Sequence, residues 1–215
     1  MYLEDRKYGN NLNEKILLTG YEPFLDFKKN PSIEACKLLE GKTYDGYKIV
    51  VEELPMRYKE VKGLITGNLL EHQPAAVIST GVSSLAPDIC VERVAINIGS
   101  ADSGPNFGFD ELDQVLKNEG PTAYFSTLPI REIVIEINKN GIPARISNTA
   151  GTQGCNLVFY HLMNYISENE LDIPAGFIHL PRLPENAVGT SNPSMSLSHS
   201  VRALEVVVEV VISNL

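Results

Sequence analysis

Apolar positions along the chain change period several times, and each change predicts an element. KILLTG (15–20) is a short apolar run closing on a Thr-Gly turn, which predicts a buried strand. Asn30 before Pro31 has the form of an N-cap with proline at the first helical position. Ile33, Ala35, Cys36, Leu38 and Leu39 then recur at helical spacing until Gly41. YKIVVEEL (47–54) predicts a strand, 58–72 a helix stopped at His72-Gln73-Pro74, and AAVIST (75–80) a strand ending at Gly81. VERVAINI (91–98) alternates as one strand, with Val91, Arg93, Ala95 and Asn97 on one side and Glu92, Val94, Ile96 and Ile98 on the other. A Gly/Ser/Asp/Pro-rich stretch, 99–110, reads as a long loop. Beyond it the pattern predicts a helix over 129–139, a strand over 143–147, a helix over 154–167, a strand over 175–180 and a last helix from about 197 to 213.

Strands alternating with helices predict an α/β fold, a three-layer α/β/α sandwich around a mostly parallel twisted sheet. Residues 1–14 read as a flexible leader and 15–215 as a single domain, with no internal repeat or low-complexity tract. Ligand sites in such sheets lie outside the carboxyl ends of the strands. That directs attention to the loops after Thr19, Thr80, Ser147 and His179.

Composition narrows the function classes. A chain of 215 residues with 43% hydrophobic and 21% charged side chains can fill an ordinary globular core. Its net charge of -9 repels phosphate backbones and anionic lipid, so neither a nucleic-acid nor a membrane partner is expected. The polar N-terminus has no apolar stretch of the signal-peptide kind, and no run approaches the ~20 residues of a membrane span. Three widely spaced cysteines, Cys36, Cys90 and Cys155, form no disulfide framework and suit a reducing compartment, so a cytoplasmic location is expected.

Chemistry concentrates in three places. In SNTAGTQGCN (147–156) a strand ends, glycines turn the chain, and Cys155 stands at or just inside a helix start. Free backbone N–H groups and the positive helix end favour thiolate there, and the same N–H groups suit an oxyanion. Cys155 also shares a helical stripe with Val158 or Phe159, Leu162 and Ile166, so position alone favours a plain core cysteine. Among four histidines, His72 has surface-like context, and His161 and His199 lie in or at the start of helices among polar neighbours. His179 ends the apolar run GFIHL at the sheet rim and is the best acid/base candidate, the other reading being a buried histidine bonded to a backbone carbonyl. Glu92, on an otherwise apolar strand face, needs a partner: that imidazole, or a basic side chain such as Arg93. No dinucleotide or P-loop glycine pattern, zinc spacing or G-x-S-x-G occurs, so no cofactor or metal is expected.

These pieces resemble a known family. TGYEPF with NPS (19–24 and 30–32), ERVAIN (92–97), GPTAYFSTLPI (120–130), GIPARISNTAG…CN (141–156), GFIHLP.LPE (176–185) and PSMSL (193–197) are similar, in order and spacing, to pyroglutamyl peptidase type I, also called pyrrolidone-carboxylate peptidase. The resemblance implies a cofactor-free cysteine omega-peptidase that acts on peptides with an N-terminal pyroglutamyl residue. It places the catalytic glutamate, cysteine and histidine on Glu92, Cys155 and His179. It implies Tyr21 and Phe24 as aromatic pocket residues, a pair that the residues alone read equally as core packing beside the first strand, with Val82 and Gly154 as further substrate contacts, and a homo-oligomer, commonly a tetramer.

Two departures accompany the likeness. A Gly-rich turn with an arginine is replaced by Ser83-Ser84-Leu85-Ala86, and an arginine in the tract after the VAIN segment is replaced by Asp102. The alternatives are therefore a relative acting on other small acyl-amides, or one that binds pyroglutamyl peptides with little turnover.

Overall fold

A computed structural model describes residues 14–23, 28–100 and 113–215. The expected leader therefore lies, apart from Glu14, outside the described residues. The chain runs β1 (Lys15–Tyr21), α1 (Pro31–Lys37), β2 (Thr43–Tyr44), β3 (Tyr47–Leu54), α2 (Tyr58–His72), β4 (Ala76–Val82), β5 (Ile89–Glu92), β6 (Val94–Ile96), β7 (Ala123–Phe125), α3 (Ile130–Lys139), β8 (Ala144–Ser147), α4 (Gly154–Glu168), β9 (Ala175–Leu180) and α5 (Leu197–Ser213). Seven strands form one sheet in the order β2-β3-β1-β4-β9-β5-β8, and β6 and β7 pair separately. β3, β1, β4 and β9 run parallel, whereas β5 and β8, parallel to each other, run antiparallel to β9.

Alternation along each strand separates two cores. Ile16 and Leu18 of β1, Ile78 of β4, Val91 of β5 and Ile178 of β9 face α1, α3 and α5. Leu17, Val77 and Phe177 face the other way, against α2 and α4. Helices on both faces of a mostly parallel sheet make the expected three-layer sandwich. α5 contributes Leu204, Val207, Val208 and Val211 to the first core, all fully buried. Each such side chain stabilises the fold by about 1.5–3 kcal/mol relative to exposure. At the start of α1 the predicted cap is present: Asn30 Oδ1 accepts from Ser32 N–H at 3.1 Å, with Pro31 next in line.

The single strand expected over 91–98 is two strands in two sheets. Arg93 is the swivel: its N–H donates to Ser147 O (2.8 Å) beside the large sheet, and its carbonyl accepts from Ser126 N–H (2.9 Å) beside the small one. The two faces read from the alternation are therefore not continuous. Ala95 and Asn97 are buried, while Val94 and Ile96 are half-buried and Ile98 is exposed. A second correction concerns direction. Because β8 opposes β9, the loop after Ser147 leaves from the opposite end of the sheet to those after Thr19, Thr80 and His179. It returns over the sheet face to start α4.

Candidate active site

β5 and β9 meet with Cys90 opposite His179 and Val91 opposite Ile178. Alternation then sends Glu92, Cys90 and His179 to the same face, the one covered by α4. Glu92 is 2% exposed, and its Oε1 lies 2.8 Å from Nδ1 of His179. A carboxylate so deep requires such a partner. The competing partner, Arg93, donates instead to Asn148 Oδ1 at 2.7 Å. Cys155, half-buried in the first turn of α4, is the other side-chain hydrogen-bond partner of His179. Burial opposes a charged imidazole, but Cys155 and then Glu92 outweigh it and raise His179 to about 10.

Close packing brings the thiol this near. A Cβ on Gly81 would stand 2.7 Å from Cys155 Sγ and 2.9 Å from Phe177 Cζ, so only glycine leaves the sulfur its seat. The helix start is pinned by Asn156, whose Nδ2 donates to the carbonyls of Ile96 and Ile98 and whose Oδ1 accepts from Ile96 N–H, each at 2.9 Å. Tyr21 Oη donates to the Gly154 carbonyl at 2.5 Å. The N-cap residue, Gln153, makes no side-chain hydrogen bond to the first N–H groups of α4, which among the described residues stay available beside the sulfur.

A cavity of about 600 Å³ opens over this face. Val82, Glu92, Cys155 and His179 line it, with Ser83–Leu85 on one side and the 147–153 loop on the other. Of the residues implied as substrate contacts, Val82 lines this cavity and Gly154 stands behind the cysteine as an acceptor for Tyr21. Tyr21 does not line it: the side chain is buried in the second core. Phe24 and Asp102 lie outside the described residues. The arginine-free turn is held from behind, since Arg182 Nε donates to the Ser84 carbonyl at 2.8 Å.

The remaining histidines do not share the site. His199 is exposed, with Nδ1 2.8 Å from Ser196 Oγ. His72 is half-buried rather than superficial, 2.7 Å from Glu52 through Nε2. His161 is buried, because α4 is enclosed by the sheet, α2 and the β6–β7 pair. Burial, aided by Lys62 and Lys117, pushes it down to about 4, and its Nδ1 has no partner among the described residues. Gly81 and Asn156 escaped the sequence reading. Their signals were faint: a glycine ending a strand, and an asparagine following the cysteine.

A buried carboxylate, an imidazole and a thiol at a helix start, on an α/β sheet, define the class of hydrolase that works through an activated cysteine. The sequence profile of pyroglutamyl peptidase matches residues 14–214. Pyrrolidone-carboxylate peptidase 2 of Caldanaerobacter subterraneus subsp. tengcongensis is 45% identical, covering 93% of this chain and 97% of its own. The pyrrolidone-carboxylate peptidase of Aliivibrio fischeri is 41% identical over 94% of each chain. The crystal structure of pyroglutamyl peptidase I from Bacillus amyloliquefaciens superposes with a TM-score of 0.89 at 40% identity, covering 93% of this chain and 97% of that one. The chain belongs to the pyroglutamyl peptidase family.

Proposed function

We propose that this protein is a cysteine peptidase that hydrolyses the bond after an N-terminal pyroglutamyl residue, with Cys155 as nucleophile, His179 as acid and base, and Glu92 as the group that orients His179. The observation that carries the reading is the buried contact of 2.8 Å between Glu92 and His179, with the Cys155 thiol as the second partner of that imidazole.

In the first step the Cys155 thiolate attacks the pyroglutamyl carbonyl carbon, and the carbonyl oxygen becomes an oxyanion. Uncapped N–H groups at the start of α4 suit that charge. His179 passes its proton to the leaving nitrogen, the C–N bond breaks, and a thioester remains. Water then attacks the thioester while His179 takes its proton, releasing pyroglutamate and restoring the thiolate–imidazolium pair. Glu92 holds one imidazole tautomer and stabilises the charged ring. Substrate binding is assigned to Val82, Gly154, Tyr21 and Phe24. Tyr21 acts through the Gly154 carbonyl rather than as a wall of the cavity. No metal or cofactor enters this scheme.

The chain works as a single domain over 15–215, in the cytoplasm, as a homo-oligomer of tetrameric type, on peptides rather than on nucleic acid or membranes. Net charge -9 and three unpaired cysteines support that setting. No helix among the described residues is long and apolar enough to cross a membrane.

The test is release of a fluorescent amine from its pyroglutamyl amide by the wild type and by Cys155→Ala. The expected result is turnover that falls by at least about four orders of magnitude in the variant. Turnover that survives the substitution overturns the assignment of the nucleophile.

A further inference from the structure

Beyond the triad, the cavity continues across the exposed side of β5 and β8. Arg145 stands opposite Cys90, and Cys90 opposite His179, so the three residues form one row across the sheet. With strands about 4.8 Å apart, the Cα atoms of Arg145 and His179 are roughly 10 Å apart. Arg145 lines the same cavity as Cys155. Besides His179, it is the only basic side chain among the described residues that do so.

Its environment suits a ligand. Arg145 Nε donates to Asp88 Oδ1 at 3.0 Å, and the side chain is 52% exposed. Among the described residues this is the only hydrogen bond the guanidinium makes. Its terminal nitrogens are therefore free to take a carboxylate in fork geometry, while Asp88 steadies the stem. Ser83, Ser84 and Leu85, also lining the cavity, bring no charge. A flat lactam needs only part of about 600 Å³, and the rest has room for residues after the scissile bond. In a chain of net charge -9, a guanidinium placed there gives the cavity a local attraction for anions.

Resting on the peptidase reading above, we propose that Arg145 sets specificity for the leaving peptide by pairing with a carboxylate on the first or second residue after pyroglutamate. That carboxylate has two possible sources, the α-carboxylate of a very short peptide or an acidic side chain. Glu92 and Asp88 offset part of the attraction, so the discrimination is moderate.

Two matched substrate pairs test this with the full chain. Pyroglutamyl-alanine is compared with its amide, and pyroglutamyl-glutamate amide with pyroglutamyl-glutamine amide. The readout is the ratio of kcat/KM, acid over neutral, in wild type, Arg145→Gln and Arg145→Glu. Wild type is expected to favour the acid in at least one pair by roughly fivefold, as a half-exposed ion pair allows. The ratio falls to about one in Arg145→Gln and inverts in Arg145→Glu. The pair that responds identifies the source of the carboxylate. Because each ratio compares two substrates of one enzyme, a general loss of folded protein cancels. Equal ratios in wild type and both variants overturn the proposal. If none of the four is cleaved, the reaction itself fails, and Kd values for the same pairs, measured by calorimetry on Cys155→Ala with and without Arg145→Gln, still decide whether Arg145 reads the carboxylate.

Discussion

Consecutive residues of β4 meet two different cysteines. Thr80 points to the α1 side, where its Oγ1 lies 3.5 Å from Cys36 Sγ, while Gly81 points to the α4 side and makes room for Cys155. The thickness of one sheet separates the two thiols. Cys36 is fully buried among aliphatic side chains, and burial, only partly countered by Thr80, pushes it up to about 12. Cys155 keeps a partly open flank and an imidazole partner that is itself held by a carboxylate. The contrast teaches that strand and residue type do not decide the chemistry of a thiol here. What decides it is which face the neighbouring backbone turns outward, and whether a charged partner stands on that face. The same division runs across the sheet: one side is almost wholly aliphatic, and the other gathers Glu92, His179, Asn156 and His161.

The contrast breaks most severely at Glu92. Glu92→Gln keeps the shape but loses the charge and the fixed tautomer, and kcat/KM is expected to drop about a thousandfold or more. Activity within tenfold of wild type would remove Glu92 from its orienting role. Next is Gly81→Ala, whose new methyl would lie 2.7 Å from Cys155 Sγ. Displacing the sulfur is expected to cost roughly a hundredfold in kcat/KM and to slow alkylation of Cys155, with the fold intact by circular dichroism. An unchanged alkylation rate would show that the seat is not tight.

On the site face, acid should act through His161. His161 is held down to about 4 by burial, so between that value and its ordinary 6.5 the unfolded chain binds the extra proton. Stability is therefore full above about 6.5 and falls as pH drops towards 4, by roughly 3 kcal/mol. In His161→Phe, urea unfolding between pH 4 and 6.5 should lose that slope. The smallest effect belongs to the opposite face. Cys36→Ala should lower stability by about 1 kcal/mol while kcat/KM stays within twofold, and a larger loss of activity would mean that the two faces are coupled through β4.

Periodicity was sufficient for the architecture. Apolar runs such as KILLTG and AAVIST and the long stripe of α5 carry unambiguous periods, and their elements stand within a residue or two of expectation. Short elements were not legible that way. β2 and β7 have two and three residues, too few for a period, although Asp45 and Gly46, both with positive φ, form the turn that a Tyr-Asp-Gly-Tyr string announces. The break at Arg93 was hidden because β5 and β6 alternate in phase, and only the partners of its backbone differ. Glu92 was singled out from an apolar face that ends one residue later. Its burial follows instead from the antiparallel meeting of β5 with β9, a tertiary fact. The seat at Gly81 depends on the atoms of α4, more than seventy residues away, and leaves no local trace.

Strand order has a consequence for synthesis. β9 is the last strand in the chain, yet it lies between β4 and β5 and carries His179. A nascent polypeptide that has emerged only as far as α4 holds two separate pieces of sheet, β2-β3-β1-β4 and β5-β8, with the carboxylate on one piece and the glycine seat on the other. Insertion of β9 joins them and delivers the imidazole in the same event. Truncated or unfinished chains thus lack both the centre of the sheet and His179, so the proposed scheme confines peptide cleavage to molecules whose synthesis has run past residue 180.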